Sequence, residues 1–356
     1  MRTDAQRLPA RRPVSLDDFF RTVRESFLRA EEAVGGSLVR SFRIGGHDVA
    51  LRFAGASLEP VLTPALRHLA VQTTSSPALT ICLFDSVSTG SEPPVPPWSS
   101  TDYIARGDIQ GGSDGRFVAG YNLGTGVLSL LDTERNLAVY WVRSALSIPY
   151  WETGAPLRTL LHWWMRQHGR QLVHAAAVGT EAGAVLLAGK GGSGKSTSAL
   201  ACLAAGMRYL GDDYVLLSDR PPEVHSLYNS AKLDPAQMRQ FPQLLPAVAN
   251  AARLATEKAL AFVHETFPNH LVRRLPVRAI LVPRITGKAE TQIVAASPAS
   301  ALRALAPSTI FQLAGAGEEE FRALSAFVRH APCFTLELGT DLSQIADVIG
   351  GVLGGR

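Results

Sequence analysis

Residues Gly189-Lys190-Gly191-Gly192-Ser193-Gly194-Lys195-Ser196, with Thr197 next, match the pattern G-x-x-x-x-G-K-[ST] in full. The chemistry such a run serves is the grip on a polyphosphate. Several backbone N–H donors must come close to the phosphate oxygens, and glycines permit this because no Cβ blocks the approach and positive φ is open to them. The helix that follows adds a partial positive charge at its N-terminus. Lys195 would reach the β- and γ-phosphates, and the Ser196 hydroxyl would ligate magnesium. Lys190 is either a further phosphate contact or a solvated side chain.

Two carboxylates follow in Tyr209-Leu210-Gly211-Asp212-Asp213-Tyr214-Val215. Adjacent carboxylates at a strand edge are costly to bury without a cation or a proton, and magnesium supplies the cation. Strand neighbours point to opposite faces, so one can aim at metal or nucleophile while the other holds the loop. His174 precedes the loop in Val173-His174-Ala175-Ala176-Ala177-Val178; taken alone it reads as a core histidine. Lysine occurs only at Lys190, Lys195, Lys232, Lys258 and Lys288. Lys232 is therefore a candidate contact for phosphate or an acidic substrate, with an exposed side chain the equal alternative. Arg273, Arg274 and Arg284 could neutralise a leaving phosphate, but read more simply as surface arginines.

Elements must position these groups. The apolar run Ala184 to Ala188 enters the loop as a strand, and the alanine-rich helix Lys195 to Ala205 leaves it and stops at Gly206. Gln171 to Val178 and Tyr209 to Ser218 each read as one strand. Pro235 to about Thr266 reads as mainly helical, Val277 to Pro283 and Cys333 to Leu338 as strands, and Asp341 to Leu353 as a helix. Upstream, Leu16, Phe19, Phe20, Val23, Phe27 and Leu28 recur at helical spacing behind Ser15, a candidate cap. Strands are expected at Ser41 to Ile44, Val49 to Phe53 and Ala78 to Phe84, and a meander at Arg116 to Tyr121, Gly126 to Leu131 and Leu137 to Val142. A helix from Leu157 to His168 ends at Gly169 and bridges to the second half.

At 356 residues the chain exceeds the usual single core. We expect an N-terminal α+β domain over residues 1–156, with no clustered chemistry, and an α/β domain over 157–356. A net charge of +4 is small for this length, and no basic run follows Arg11 and Arg12, which argues against nucleic acid. Cys82, Cys202 and Cys333 are odd in number and far apart, fitting neither a disulfide framework nor a zinc site. The first twenty residues are polar and interrupted by Pro9 and Pro13, and no apolar run reaches membrane-spanning length. The expected setting is the cytoplasm, with no membrane partner.

The order of histidine-bearing strand, turn, strand, phosphate loop, helix, glycine and Asp-Asp, over about Leu172 to Leu217, resembles the catalytic domain of the HPr kinase/phosphorylase family. The phosphoenolpyruvate carboxykinases are distant relatives of that family. The resemblance implies that Gly189, Gly194, Lys195 and Ser196 hold ATP, or another nucleoside triphosphate, and Mg2+. It also implies that Asp212 or Asp213 takes the proton of an attacking serine hydroxyl while the other organises metal, and that His174 sits beside the transferred phosphoryl group. We favour Asp212 as base and Ser196 with Asp213 as metal ligands. The family's second signature is absent here, so phosphorylase activity is not expected.

The first half does not look like the N-terminal domain of these kinases. The chain instead looks like divergent bacterial HPr kinase-like proteins, some of which phosphorylate a serine of a precursor peptide in lasso peptide and related ribosomal peptide pathways. That likeness implies a serine-bearing peptide or protein as partner, held by the first domain through a strand added to a sheet edge. A trimer or hexamer would fit it as well. The alternatives are a nucleotide-hydrolysing switch, a small-molecule kinase and a non-catalytic nucleotide-binding regulator. The guanine-reading Asn-Lys-x-Asp of translation-type GTPases is absent.

Overall fold

The computed structural model describes residues 15–354; Pro9, Arg11, Arg12 and Pro13, weighed above from sequence, lie outside them. The chain is mixed α/β with several sheets. Helix α1 (Leu16–Ala33) begins where the Ser15 hydroxyl oxygen accepts from the Asp18 N–H at 3.1 Å. Asp17 and Asp18 in its first turn complement the helix dipole.

There follow β1 (Ser37–Ile44), β2 (His47–Ala54), α2 (Glu59–Leu62), β3 (Ala70–Val71), β4 (Leu79–Asp85), α3 (Ser86–Thr89), β5 (Asp108–Ser113), β6 (Phe117–Asn122), β7 (Val127–Asp132) and β8 (Leu137–Val142). The eight strands form one sheet in the order β3-β1-β2-β4-β8-β7-β6-β5. Only the β2–β4 and β4–β8 pairs are parallel. The period of two sorts side chains between layers. Cys82 and Phe84 pack with Phe19, Phe20 and Phe27 of α1. Leu79, Ile81 and Leu83 face the other way, toward Trp163 and Trp164. Strands β3 and β5 are absent from the sequence reading because one is two residues long and the other carries Gly111 and Gly112, so neither shows a period.

Helices α4 (Tyr150–Gly154) and α5 (Arg158–Gln167) lead to the second sheet. Leu160, Leu161, Trp163 and Trp164 of α5 are buried in a cluster that also contains Leu172, Tyr214, Leu216 and Tyr228. Each such side chain contributes about 1.5–3 kcal/mol by leaving water, so α5 is a major seam between the halves.

The second half contains β9 (Gln171–Val173), β10 (Ala175–Thr180), β11 (Gly183–Ala188), α6 (Lys195–Ala204), β12 (Arg208–Gly211), β13 (Val215–Asp219), β14 (Pro222–His225), β15 (Ser230–Leu233), α7 (Pro235–Met238), β16 (Ala259–Phe262), β17 (Arg274–Ile285), β18 (Gln292–Ala296), α8 (Pro298–Ile310), α9 (Glu318–Phe327), β19 (Cys333–Leu338) and α10 (Ser343–Leu353). A nine-stranded sheet runs β12-β10-β11-β17-β14-β13-β9, with β19 on β17 and β18 outside it. Ala176, Val178, Val185 and Leu187 face α6 and α10. Ala175, Ala177 and Leu186 face α8 and α9.

Three expectations are corrected. The strand read over Gln171 to Val178 is broken at His174: β9 pairs with β13, whereas β10 pairs with β11 and β12. The His174 N–H donates to Thr309 Oγ1 at 3.1 Å. The strand read over Tyr209 to Ser218 is likewise broken, into β12 and β13, at Asp212 to Tyr214. The helical stretch from Pro235 is short turns and a strand, because Pro242 and Pro246 interrupt any long helix and Ala259 to Phe262 pair with β15. All three cysteines are free and buried. No helix among the described residues is long and apolar enough to cross a membrane.

Candidate active site

The glycine-rich run lies between β11 and α6, as a turn from a buried central strand into a helix N-terminus. Gly192 (φ +78°) and Gly194 (φ +100°) hold left-handed backbone that costs other residues strain, and a Cβ on Gly194 would run into the Leu338 side chain. The Lys195 ammonium folds back on the loop, donating to the Gly189 carbonyl at 2.7 Å and the Lys190 carbonyl at 3.2 Å. It is 6% exposed, and burial lowers its pKa while Asp212 and Asp213 oppose that shift. The Lys190 side chain is exposed, and Gly191, Gly192, Ser196 and Thr197 face a cavity of about 240 Å³.

The two strand breaks deliver the remaining groups to the same cavity. His174, Asp212 and Asp213 all line it. Asp213 Oδ1 lies 3.1 Å from His174 Nε2, and its Oδ2 is ion-paired with Lys232 from β15. Burial alone would raise the Asp213 pKa, but the Lys232 charge and the hydrogen-bonded His174 hold it well below the usual carboxylate range. Asp212 differs. Its Oδ2 accepts from the Lys232 backbone N–H at 3.2 Å, and nearby Ser196 favours its ionised form. Its Oδ1 is buried with no hydrogen-bond partner among the described residues. Burial pushes the Asp212 pKa up to about 6, and the neighbouring Asp213 charge adds to the rise despite Ser196, the Lys232 N–H and Lys195. Of the two aspartates, Asp212 is thus the one beside Ser196, while both oxygens of Asp213 are engaged by His174 and Lys232.

The His174 ring packs on Tyr214, with centroids 5.3 Å apart. The Tyr214 hydroxyl donates to Gln312 Oε1 at 2.5 Å and accepts from Arg158 at 3.1 Å. Tyr150 and Trp151 of α4 face the cavity too, as do Gln237 and Lys258, which the sequence reading passed over. Lys258 carried a usable signal, since three of the five lysines, Lys195, Lys232 and Lys258, line this one cavity. Trp151 had none, because an aromatic just before a bridging helix reads as core until its 45% exposure is known. Arg284 pairs with Glu337, and Arg274 lies 3.6 Å from Glu223. Neither they nor Arg273 line the cavity.

Among the described residues no cluster of three or more His, Cys, Asp or Glu could hold a metal by itself. A cation held mainly by phosphate oxygens and one hydroxyl needs none.

No protein-family model matches the chain, and no curated protein matches it as a relative. Among solved structures, it is similar to the Hpr(Ser) kinase/phosphatase from Coxiella burnetii at 10% sequence identity, over 51% of this chain and 95% of that one, with a TM-score of 0.28.

Proposed function

We propose that the chain is an ATP- and Mg2+-dependent kinase of the HPr kinase-like type, which transfers a γ-phosphoryl group to a serine hydroxyl of a peptide or protein. The observation that supports this best is the convergence of the Lys195–Ser196 loop end with Asp212, Asp213, His174 and Lys232 around one cavity. A water-only switch needs no such set of cations and carboxylates opposite the loop.

In this reading the loop N–H groups and the α6 N-terminus take the phosphates, and Lys195 exchanges its two carbonyl contacts for phosphate oxygens. Ser196 would hold magnesium, which neutralises phosphate charge when bound. The hard hydroxyl oxygen of Ser196, which faces the cavity, suits that ion. Asp212 takes the hydroxyl proton, since one of its oxygens is free and a pKa of about 6 suits a proton acceptor near neutral pH. Asp213, expected from sequence as a metal ligand, instead orients His174 and Lys232 toward the transferred group. Tyr150 and Trp151, from the first half, line the cavity that an acceptor would enter. That placement favours the 1–156 segment as the acceptor-holding unit, with ribosomal precursor peptides as the class to test first.

The deciding experiment supplies the full chain with γ-labelled ATP, magnesium and serine-bearing peptides, and follows label to peptide or to free phosphate. Phosphopeptide made by the wild type and lost in Lys195→Ala and Asp212→Asn is the expected result. Free phosphate with no phosphopeptide would move the assignment to a hydrolysing switch.

A further inference from the structure

Lys232 reaches the candidate active site from β15, a strand that belongs to neither large sheet. β15 and β16 form a two-stranded ribbon of their own. On one face of it Ala231, Leu233, Ala259 and Ala261 pack in the cluster that holds the apolar side of α6. Apolar packing is non-directional and does not fix a strand along its own axis, whereas hydrogen bonds, which are directional, do.

The side-chain bonds that fix the start of β15 run to the first half of the chain. The Tyr228 hydroxyl donates to the Pro156 carbonyl at 2.7 Å, and the Ser230 hydroxyl to the Gly154 carbonyl at 2.5 Å. Between them Asn229, 0% exposed, uses every polar group it has. Its backbone N–H donates to the Ala65 carbonyl at 2.9 Å, and its Nδ2 to the Pro64 and Ala65 carbonyls at 2.8 Å each. Its own carbonyl accepts from the Val263 N–H at 2.9 Å, and its Oδ1 from the His264 N–H at 3.4 Å. Asn229 thus joins the helical turn Pro64–Leu69, β15 and the turn that follows β16. The same first-half turn bonds the second half again where His68 Nε2 meets Ser226 Oγ at 2.7 Å. From the nine-stranded sheet, the Tyr209 hydroxyl reaches the Ser230 carbonyl at 3.1 Å.

Three residues on, Lys232 gives its backbone N–H to Asp212 Oδ2 at 3.2 Å and its ammonium to Asp213. A strand advances about 3.3 Å per residue, so a slip of one residue at Asn229 would carry both contacts out of reach and turn Lys232 to the other face. We propose that Asn229 is a positioning residue: by tying β15 to Pro64 and Ala65 it sets Lys232 against Asp212 and Asp213. The first half then fixes one cation of the reaction centre, besides any hold on an acceptor. Asparagine suits the task because it donates two N–H bonds and accepts through Oδ1 with no charge to bury. What this anchoring means for phosphoryl transfer rests on the kinase reading, whereas the anchoring itself does not.

The test acetylates the amines of the folded full chain with a low dose of an N-hydroxysuccinimide ester and reads each lysine by peptide mass spectrometry. The Lys232 side chain is 15% exposed, and Lys288, at 67%, serves as internal reference. In Asn229→Ala, acetylation of Lys232 relative to Lys288 should rise about tenfold, as loss of the anchoring hydrogen bonds implies. Ser230→Ala removes only the bond to Gly154 and should raise the ratio about threefold, so it decides where N229A folds poorly. Val23→Ala destabilises the chain from the α1 face of the first sheet and should leave the ratio unchanged. In the phosphopeptide assay N229A should lower kcat and kcat/KM together by about tenfold, with nucleotide Kd held, as loss of a contact made in the transition state implies. An unchanged ratio in both N229A and S230A, an equal rise in V23A, or a raised ratio with kcat unaltered would each overturn the proposal. A wild-type chain that transfers no phosphate would instead overturn the kinase reading, and the acetylation ratios would still decide the anchoring.

Discussion

Asp132 in the first sheet and Asp212 in the second are both buried, yet they are treated in opposite ways. Asp132 closes β7 with both oxygens used: Arg116 donates to them at 3.0 and 2.9 Å, and the Glu134 and Arg135 N–H groups add to one of them. Burial would raise its pKa, but these partners hold it below the ordinary value. Asp212 keeps one oxygen bare, and its pKa is raised to about 6. The same contrast runs through the two sheets. In the first, β7 is buried at every position and keeps an unbroken ladder with β6 and β8. In the second, the ladder is cut at His174 and at Asp212 to Tyr214, and the ionisable side chains gather in the cuts. A satisfied charge holds structure; an unsatisfied one is available for chemistry, at a cost in stability.

The largest effect that would test this contrast is on rate. Asp212→Asn should lower kcat by about two to four decades in the phosphopeptide assay if Asp212 is the base. An Asp213→Asn variant that loses more activity than Asp212→Asn, with peptide KM unchanged, would reverse the two roles. Next comes stability. Asp132→Ala should cost about 3 kcal/mol in urea unfolding, because it removes the buried acceptor of the Glu134 and Arg135 N–H groups and of Arg116. Asp212→Asn should instead stabilise, by up to about 3 kcal/mol near pH 7.

The pH dependence has opposite signs at the two residues. A carboxylate whose pKa is raised by folding penalises the native state wherever it is ionised in both states. The gain from Asp212→Asn should therefore be full above about pH 6 and fade as the pH falls toward 4. Asp132, with its pKa lowered, stabilises above the unfolded value, so its loss should matter less as the pH falls below about 4. Denaturant midpoints at pH 5 and pH 8 would separate the cases. A comparable effect is expected at the seam, where Leu161→Ala should cost about 2–4 kcal/mol and lower the unfolding midpoint of the whole chain in one transition. The smallest is at the first cap: Ser15→Ala should cost about 1 kcal/mol and leave phosphotransfer unchanged.

The sequence was most legible where one period dominates. The α1 stripe, the β8 alternation and the turn from β11 into α6 follow from spacing and glycine chemistry, and they appear where spacing puts them. What could not be read are the breaks. Val173 and Ala175, or Gly211 and Val215, look like members of continuous strands, because a lone histidine or a pair of aspartates can sit at strand positions and the partners that end the pairing lie far away in sequence. Thr309, whose hydroxyl receives the His174 N–H, is 135 positions away. Long-range placement of Trp151 and Lys258 is invisible for the same reason. Lys232 was readable only through the scarcity of lysine.

The continuous packing from Ile81 and Leu83 through Trp163 and Trp164 to Tyr214 and Leu216 bears on how such a chain can change over generations. A new front half could not be grafted on by a cut in the link ahead of α5. It would have to arrive with matching side chains on that helix and on the strand beside the paired aspartates. The packing of the front half and the shape of the cavity behind it would then drift together, through compensating substitutions along one shared set of hydrophobic neighbours.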